Sequence, residues 1–261
     1  MKILVGNSKG GVGKSTTAVQ IVAPYLYAKF DNQPVTLIEV DRANKDSETF
    51  EASSILKAFQ LDQHNPELGA NLTDAIIENE NLIIDIAGGE TSLDVLEILV
   101  STGMLGNFDM LIIPLMDGEQ DATNAIRTYK KLRELNKDIK TIFALSKVDE
   151  TMSLELQFFD FFGDTKSRIN DAKGMIEQVA KEDKNIIKVH SSDTIKYSRI
   201  FGNTVYEIAQ NDTTTIKAEM AESMENKDDE LTRKLSYKMG ILSKAKKYLE
   251  NTIKPCFEVL N

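Results

Sequence analysis

GNSKGGVGKSTT, residues 6–17, follows the short apolar run Ile3-Leu4-Val5 and opens onto a segment of helical character. Strand, glycine-rich turn, Lys-Ser and helix make up the layout of a phosphate-binding P-loop. Gly10, Gly11 and Gly13 carry no Cβ, so the backbone can turn with φ > 0 and close its N–H groups around an anion. The N-terminus of the following helix adds a partial positive charge. Lys14 can reach the terminal phosphates of a nucleotide, and the Ser15 hydroxyl is placed for Mg²⁺.

Two details depart from the general pattern: Ser8 stands where the first glycine is usual, and a second lysine, Lys9, follows it. The string KGGVGKST, residues 9–16, therefore resembles the deviant Walker A motif of the ParA/MinD superfamily. That resemblance implies a Mg²⁺-dependent ATPase that forms a homodimer on binding ATP, with Lys9 reaching the partner's nucleotide. It makes Gly10, Gly11, Val12, Gly13, Lys14, Ser15 and Thr16 the nucleotide-binding residues.

Working outward, VTLIEV (35–40) is a β-branched apolar run, read as a buried parallel strand that ends at Asp41. In the superfamily this strand ends in Asp-x-Asp, and the second acid positions the attacking water. Asp41 matches that acid and Glu39 replaces the first, so the resemblance makes Lys9, Lys14 and Asp41 the catalytic set. LIID (82–85) is another apolar strand that delivers an aspartate to its C-terminal end, the Walker B arrangement, giving Asp85 with Ser15 as the Mg²⁺ residues. Gly88, in the IAGG turn that follows, is the candidate for a backbone N–H approaching the γ-phosphate.

The bulk numbers bound the rest. A chain of 261 residues, 41% hydrophobic and 28% charged, suits one α/β domain with a sizeable core. MKILVGNSKG reads as a first strand and not as a signal peptide, and no run of about eighteen apolar residues spans a membrane. The lone Cys256 rules out an internal disulfide and suits a cytoplasmic setting. One cysteine with His64 and His190 cannot build an iron–sulfur or ordinary zinc site. A net charge of −10 excludes a uniformly basic nucleic-acid face but not a local patch.

Further elements follow in order. Residues 14–29 read as a helix with Val19, Val22, Ala23 and Leu26 on one side, kinked or ended by Pro24. Residues 47–59 and 72–78 show helical periodicity, as do 91–102, with Thr91 or Ser92 as the cap. MLIIPL (110–115) and TIFAL (141–145) read as strands. Residues 119–135 read as an amphipathic helix, with Ala122, Ala125, Ile126, Tyr129 and Leu132 inward and Arg127, Lys130, Lys131 and Arg133 outward. Ser146-Lys147-Val148-Asp149 is similar to the guanine-reading Asn-Lys-x-Asp of GTPases, but also to the Thr-x-x-Asp of ParA-like chains, so ATP stands ahead of GTP. The Phe158, Phe159, Phe161 and Phe162 cluster reads as core or interface, followed by a charged helix-like stretch to residue 182. IIKV (186–189) reads as a late strand, and the loop after it sits where ParA-like chains contact adenine.

Residues 211–230 are acidic; 231–254 are basic, with Leu231, Leu235, Met239, Leu242, Ala245, Leu249 and Ile253 in one apolar stripe, stopped by Pro255. Three roles stay open for this helix: packing on its own domain or a dimer partner, non-specific DNA contact, or an anionic membrane.

The sequence thus predicts a mostly parallel, doubly wound P-loop NTPase sheet over residues 1–210, with a C-terminal helical extension over 211–261. The resemblance implies an ATP-dependent dimerisation switch in partition or positioning of plasmid or other DNA cargo, with a DNA-bound adaptor protein as partner. The alternatives are a nucleotide-gated module that docks on a membrane or a conjugation or secretion apparatus, and a small-molecule ligase or kinase.

Overall fold

The computed structural model describes residues 1–41, 47–89, 91–164 and 173–261. Its centre is a seven-stranded sheet, all of whose pairings are parallel. The strands are β1 (Lys2–Val5), β2 (Val35–Val40), β3 (Leu56–Leu61), β4 (Leu82–Ile86), β5 (Met110–Leu115), β6 (Lys140–Val148) and β7 (Asn185–His190). Their order across the sheet is β3-β2-β4-β1-β5-β6-β7. The chain winds outward in both directions from β1, so the loop after β1 lies at the switch point, where such sheets open a crevice at their carboxyl ends.

Successive residues of the inner strands point to opposite faces and enter two separate cores. Ile3, Val5, Leu37, Ile83, Ile112, Ile142 and Ile187 join one. Leu4, Ile38, Ile84, Leu111, Ile113 and Phe143 join the other. Continuous apolar strands are the consequence, because helices cover both faces. The second core takes α2 (Leu68–Glu78), α3 (Thr91–Ser101) and α4 (Glu119–Leu135). The first takes the helix after the P-loop, α1, and the C-terminal helices.

Helix α1 comprises Lys14–Thr17, a π turn Ala18–Val22 and Ala23–Lys29. Pro24 does not end it. It occupies the first turn of the last segment, and the wider π turn before it absorbs the missing N–H. The same device recurs at the C-terminus. After α5 (Asp193–Phe201), α6 (Val205–Gln210) and α7 (Thr213–Glu225), helix α8 (Asp229–Tyr248) runs through a π turn Leu249–Ile253 into α9 (Lys254–Leu260). Pro255 therefore does not stop the helix; it sits in the first turn of α9. Leu235, Leu242, Ala245, Leu249 and Ile253 are buried in the first core, whereas Leu231 is exposed. Tyr25 of α1 donates to the Leu260 carbonyl at 2.9 Å, tying the chain's end to the helix after the P-loop.

Two other expectations are corrected. Residues 47–59 are not helical beyond one 3-10 turn, Ser47–Phe50; the segment continues into edge strand β3. An edge strand buries only part of each face, so its spacing imitates a helix. The stretch after the phenylalanines is described only in part, since residues 165–172 lie outside the described residues, and what is described forms 3-10 turns, Met175–Gln178 and Lys181–Asp183. The phenylalanine cluster divides, with Phe158 and Phe161 in the core and Phe159 exposed.

Candidate functional site

Gly6 continues β1 by donating to the Ile112 carbonyl, and the chain then turns. Gly13 ends the turn in the left-handed region, at φ 90, and an added Cβ would lie 2.6 Å from Ser146 Oγ. Only glycine satisfies both conditions. Thr17 returns a hydroxyl to the Gly13 carbonyl at 2.8 Å, closing the first turn of α1.

The turn is gripped from two sides. On one side lies α4. Asn7 Nδ2 donates to the Pro114 carbonyl at 2.7 Å, Ser8 N to Thr128 Oγ1 at 3.3 Å and Ser8 Oγ to Asn124 Oδ1 at 3.3 Å. Lys9 Nζ is ion-paired with Asp121, a buried carboxylate in the first turn of α4. Asp121, Asn124 and Thr128 are three and four residues apart, so they form one polar strip of the helix, directed at the loop. Sequence reading missed this strip. Its only signal was three polar residues at helical spacing beside the apolar face, which also describes an ordinary solvated flank.

On the other side lies the turn after β4. Gly89 N donates to the Ser8 carbonyl at 2.6 Å. A Cβ on Gly88 would stand 2.5 Å from Gly10 N and 2.7 Å from Gly10 Cα. Gly88 thus lets two backbones meet face to face.

A cavity of about 240 Å³ opens between these parts, lined by Gly10, Gly11, Gly13, Lys14, Ser15, Thr16, Glu39, Asp41, Asp85, Ala87, Gly88, Lys147 and Arg199. Of the residues singled out in the sequence, Lys9 and Val12 do not line it: Lys9 is turned to Asp121, and Val12 is a core residue, 1% exposed. Lys147 and Arg199 are additions from β6 and α5.

Burial and mutual charge dominate the electrostatics of this cavity. Asp85 is buried and its Oδ1 has no hydrogen-bond partner. Burial pushes its carboxyl up to about 7, against the opposing hydrogen bond from Ser15 and the charge of Lys14; Glu39 and Asp41 push it further in the same direction. Burial lowers the Lys14 ammonium from its usual value, opposed by Asp85 and Asp41. In this state Lys14 Nζ donates to the Lys9 carbonyl at 2.8 Å. A buried carboxylate with an orphaned oxygen next to a serine hydroxyl fits a divalent cation, whose charge would restore the ionised form. Among the described residues no group of three or more His, Cys, Asp or Glu could hold a metal. Asp85 and Ser15 fit a Mg²⁺ that takes its remaining oxygens from phosphate and water.

A second compartment, also about 240 Å³, shares Gly13, Thr16, Lys147 and Arg199 with the first and extends to Ser146, His190, Ser191 and Ser192. Its wall is held rigidly. Gln20, in the π turn of α1, donates to Ser198 Oγ at 2.9 Å and accepts from Val205 N at 2.8 Å. His190 Nδ1 lies 2.9 Å from Thr252 Oγ1, and Tyr248 donates to the His190 carbonyl at 3.2 Å. Each π turn therefore supplies one buried side chain: Gln20 ties α1 to α5 and α6, and Thr252 holds the end of β7.

No family model and no curated protein matches this chain. Among solved structures, apo McdA from Cyanthece superposes with a TM-score of 0.52 at 15% identity, covering 79% of this chain and 92% of that one. The fold is shared with McdA. A plasmid partition protein from Borrelia burgdorferi (18% identity, 76% and 95% covered, TM-score 0.45) is also similar. So is the Pyrococcus furiosus cell division ATPase MinD (13% identity, 86% and 98% covered, TM-score 0.46). At 15% identity the likeness to McdA is one of fold.

Proposed function

We propose that this chain is an ATP hydrolase that works as an ATP-dependent dimerisation switch of the ParA kind. The observation that carries the reading is convergence: a glycine-rich loop carrying Lys14 and Ser15, two strand-end acids and a glycine turn meet around one cavity of about 240 Å³. Loop amides and Lys14 bind the phosphates, Ser15 and Asp85 hold Mg²⁺, and Asp41 orients water for attack. Bound Mg²⁺ supplies charge neutralisation for phosphoryl transfer. Lys9 leaves Asp121 to reach a partner's nucleotide. Hydrolysis is slow, because none of these groups is a strong base, and a partner accelerates it.

Partition or positioning of plasmid or other DNA cargo, in the cytoplasm, with a DNA-bound adaptor, is the task this switch would serve. Helix α8 bears on the choice of surface. Its apolar stripe is spent in the core, while Arg233, Lys234, Lys238, Lys244, Lys246 and Lys247 are exposed. Such a face suits a phosphate backbone better than a lipid interior.

Light scattering of the purified chain with ATP and Mg²⁺, wild type beside Lys9→Ala, tests the switch. A dimer that requires ATP and disappears in the variant supports it. A wild-type chain that stays monomeric with nucleotide bound refutes it.

A further inference from the structure

The cations that the P-loop pattern supplies are two, and one of them, Lys9, is held by Asp121 outside the cavity. Two other cations take its place on the cavity wall: Lys147 and Arg199 line both the phosphate cavity and the adjoining compartment. They come from elements far apart in sequence, the end of β6 and the last turn of α5. Gly13 lines both spaces with them, and Gly10 and Gly11 line the first.

Lys147 is placed there at a conformational cost. It has φ 57, in the left-handed region, and among the described residues it is the one non-glycine within a strand to do so. The register explains this: Ser146 pairs with Val189 and Val148 with His190, leaving Lys147 as the extra residue of a bulge. The bulge is secured from outside, since Gln157 Nε2 donates to the Lys147 carbonyl at 3.0 Å and Ser191 N to that of Val148. Its ammonium has no hydrogen-bond or ion-pair partner among the described residues. Lys147 is exposed, and the strained bulge puts it on a cavity wall, a placement that a ligand can justify and core packing does not.

We propose that Lys147 and Arg199 form a cationic clamp on the nucleotide's phosphates, in the same cavity as the loop amides and supplied entirely in cis. The clamp rests on the nucleotide reading above. It gives a single chain its grip on the triphosphate before a second copy brings Lys9, so nucleotide affinity and dimerisation depend on different lysines.

Calorimetric titration with ADP and with AMPPNP, each with Mg²⁺, separates the two. Lys147→Gly relieves the positive φ while removing the cation, so its melting midpoint holds or rises. Its Kd rises about tenfold, and Arg199→Gln behaves alike, the size expected of one charged contact. The double variant loses about a hundredfold if the contacts are independent. Arg199→Lys keeps most of the affinity, and the salt dependence of binding becomes shallower with each cation removed. Wild-type Kd values in Lys147→Gly and Arg199→Gln overturn the clamp and leave the nucleotide reading intact. A wild-type chain that binds neither nucleotide overturns both.

Discussion

Replacing Asp85 by asparagine keeps the shape and removes the charge, which makes it the most informative single change. Burial pushes the native carboxyl up to about 7, from the 3.8 of an ordinary aspartate. Between these values the native state retains a proton that the unfolded chain has released, so rising pH favours unfolding across that window. Below it both states are protonated and nothing is lost; above it the full cost of an ionised, buried carboxylate is present. Three pH units at about 1.36 kcal/mol each set a ceiling of about 4 kcal/mol. Asp85→Asn should therefore match the wild type near pH 4 and exceed it in stability by up to that amount at pH 8, without Mg²⁺ or nucleotide. Urea unfolding at pH 4.5 and pH 8, wild type beside variant, measures the difference of differences. Adding Mg²⁺ and nucleotide at pH 8 should then stabilise the wild type and leave the variant nearly unmoved. Parallel stability–pH curves for the two proteins would refute the argument, since the pH-dependent cost would then lie elsewhere.

Gly88→Ala forces a methyl to within 2.5 Å of Gly10 N, so the two loops must part; nucleotide titration should show affinity falling by tenfold or more while circular dichroism keeps the native helix content. Gln20→Ala leaves Ser198 and Val205 N without their buried partner. The expected loss is roughly 2–3 kcal/mol in chemical denaturation, from two hydrogen bonds and the groups they strand. Leu242→Ala should cost about 2–5 kcal/mol, the range for a buried leucine, because α8 is part of the sheet's own core; a neutral result would mean the helix does not pack there in solution.

Much of the site could be read directly because it is local. A P-loop is one contiguous stretch whose glycines and lysine act within a few residues of each other, and Asp41 and Asp85 announce themselves by ending apolar strands. Strands β1, β2, β4, β5 and β6 were legible for the same reason: inside the sheet and buried on both faces, they are runs of apolar residues with nothing to confuse them. Edge strand β3 was not, because exposure on one side leaves a mixed pattern. The prolines misled for a related reason. Their effect on a helix depends on whether the turn before them can widen, and that is settled by what the helix packs against.

By itself, then, the sequence determined the sheet class, the glycine-rich loop after β1 and the strand-end acids that share its cavity, since each is encoded by neighbours along the chain. Tertiary structure alone decided where Lys9 points, which cations share the cavity with Lys14, and why Gly88 must be glycine. Asp121 is 112 residues from Lys9, and Arg199 is carried by a helix beyond the last strand. Contacts at such separations leave no periodic trace in the chain. They exist only because folding around β1 brings the ends of distant strands to the same crevice.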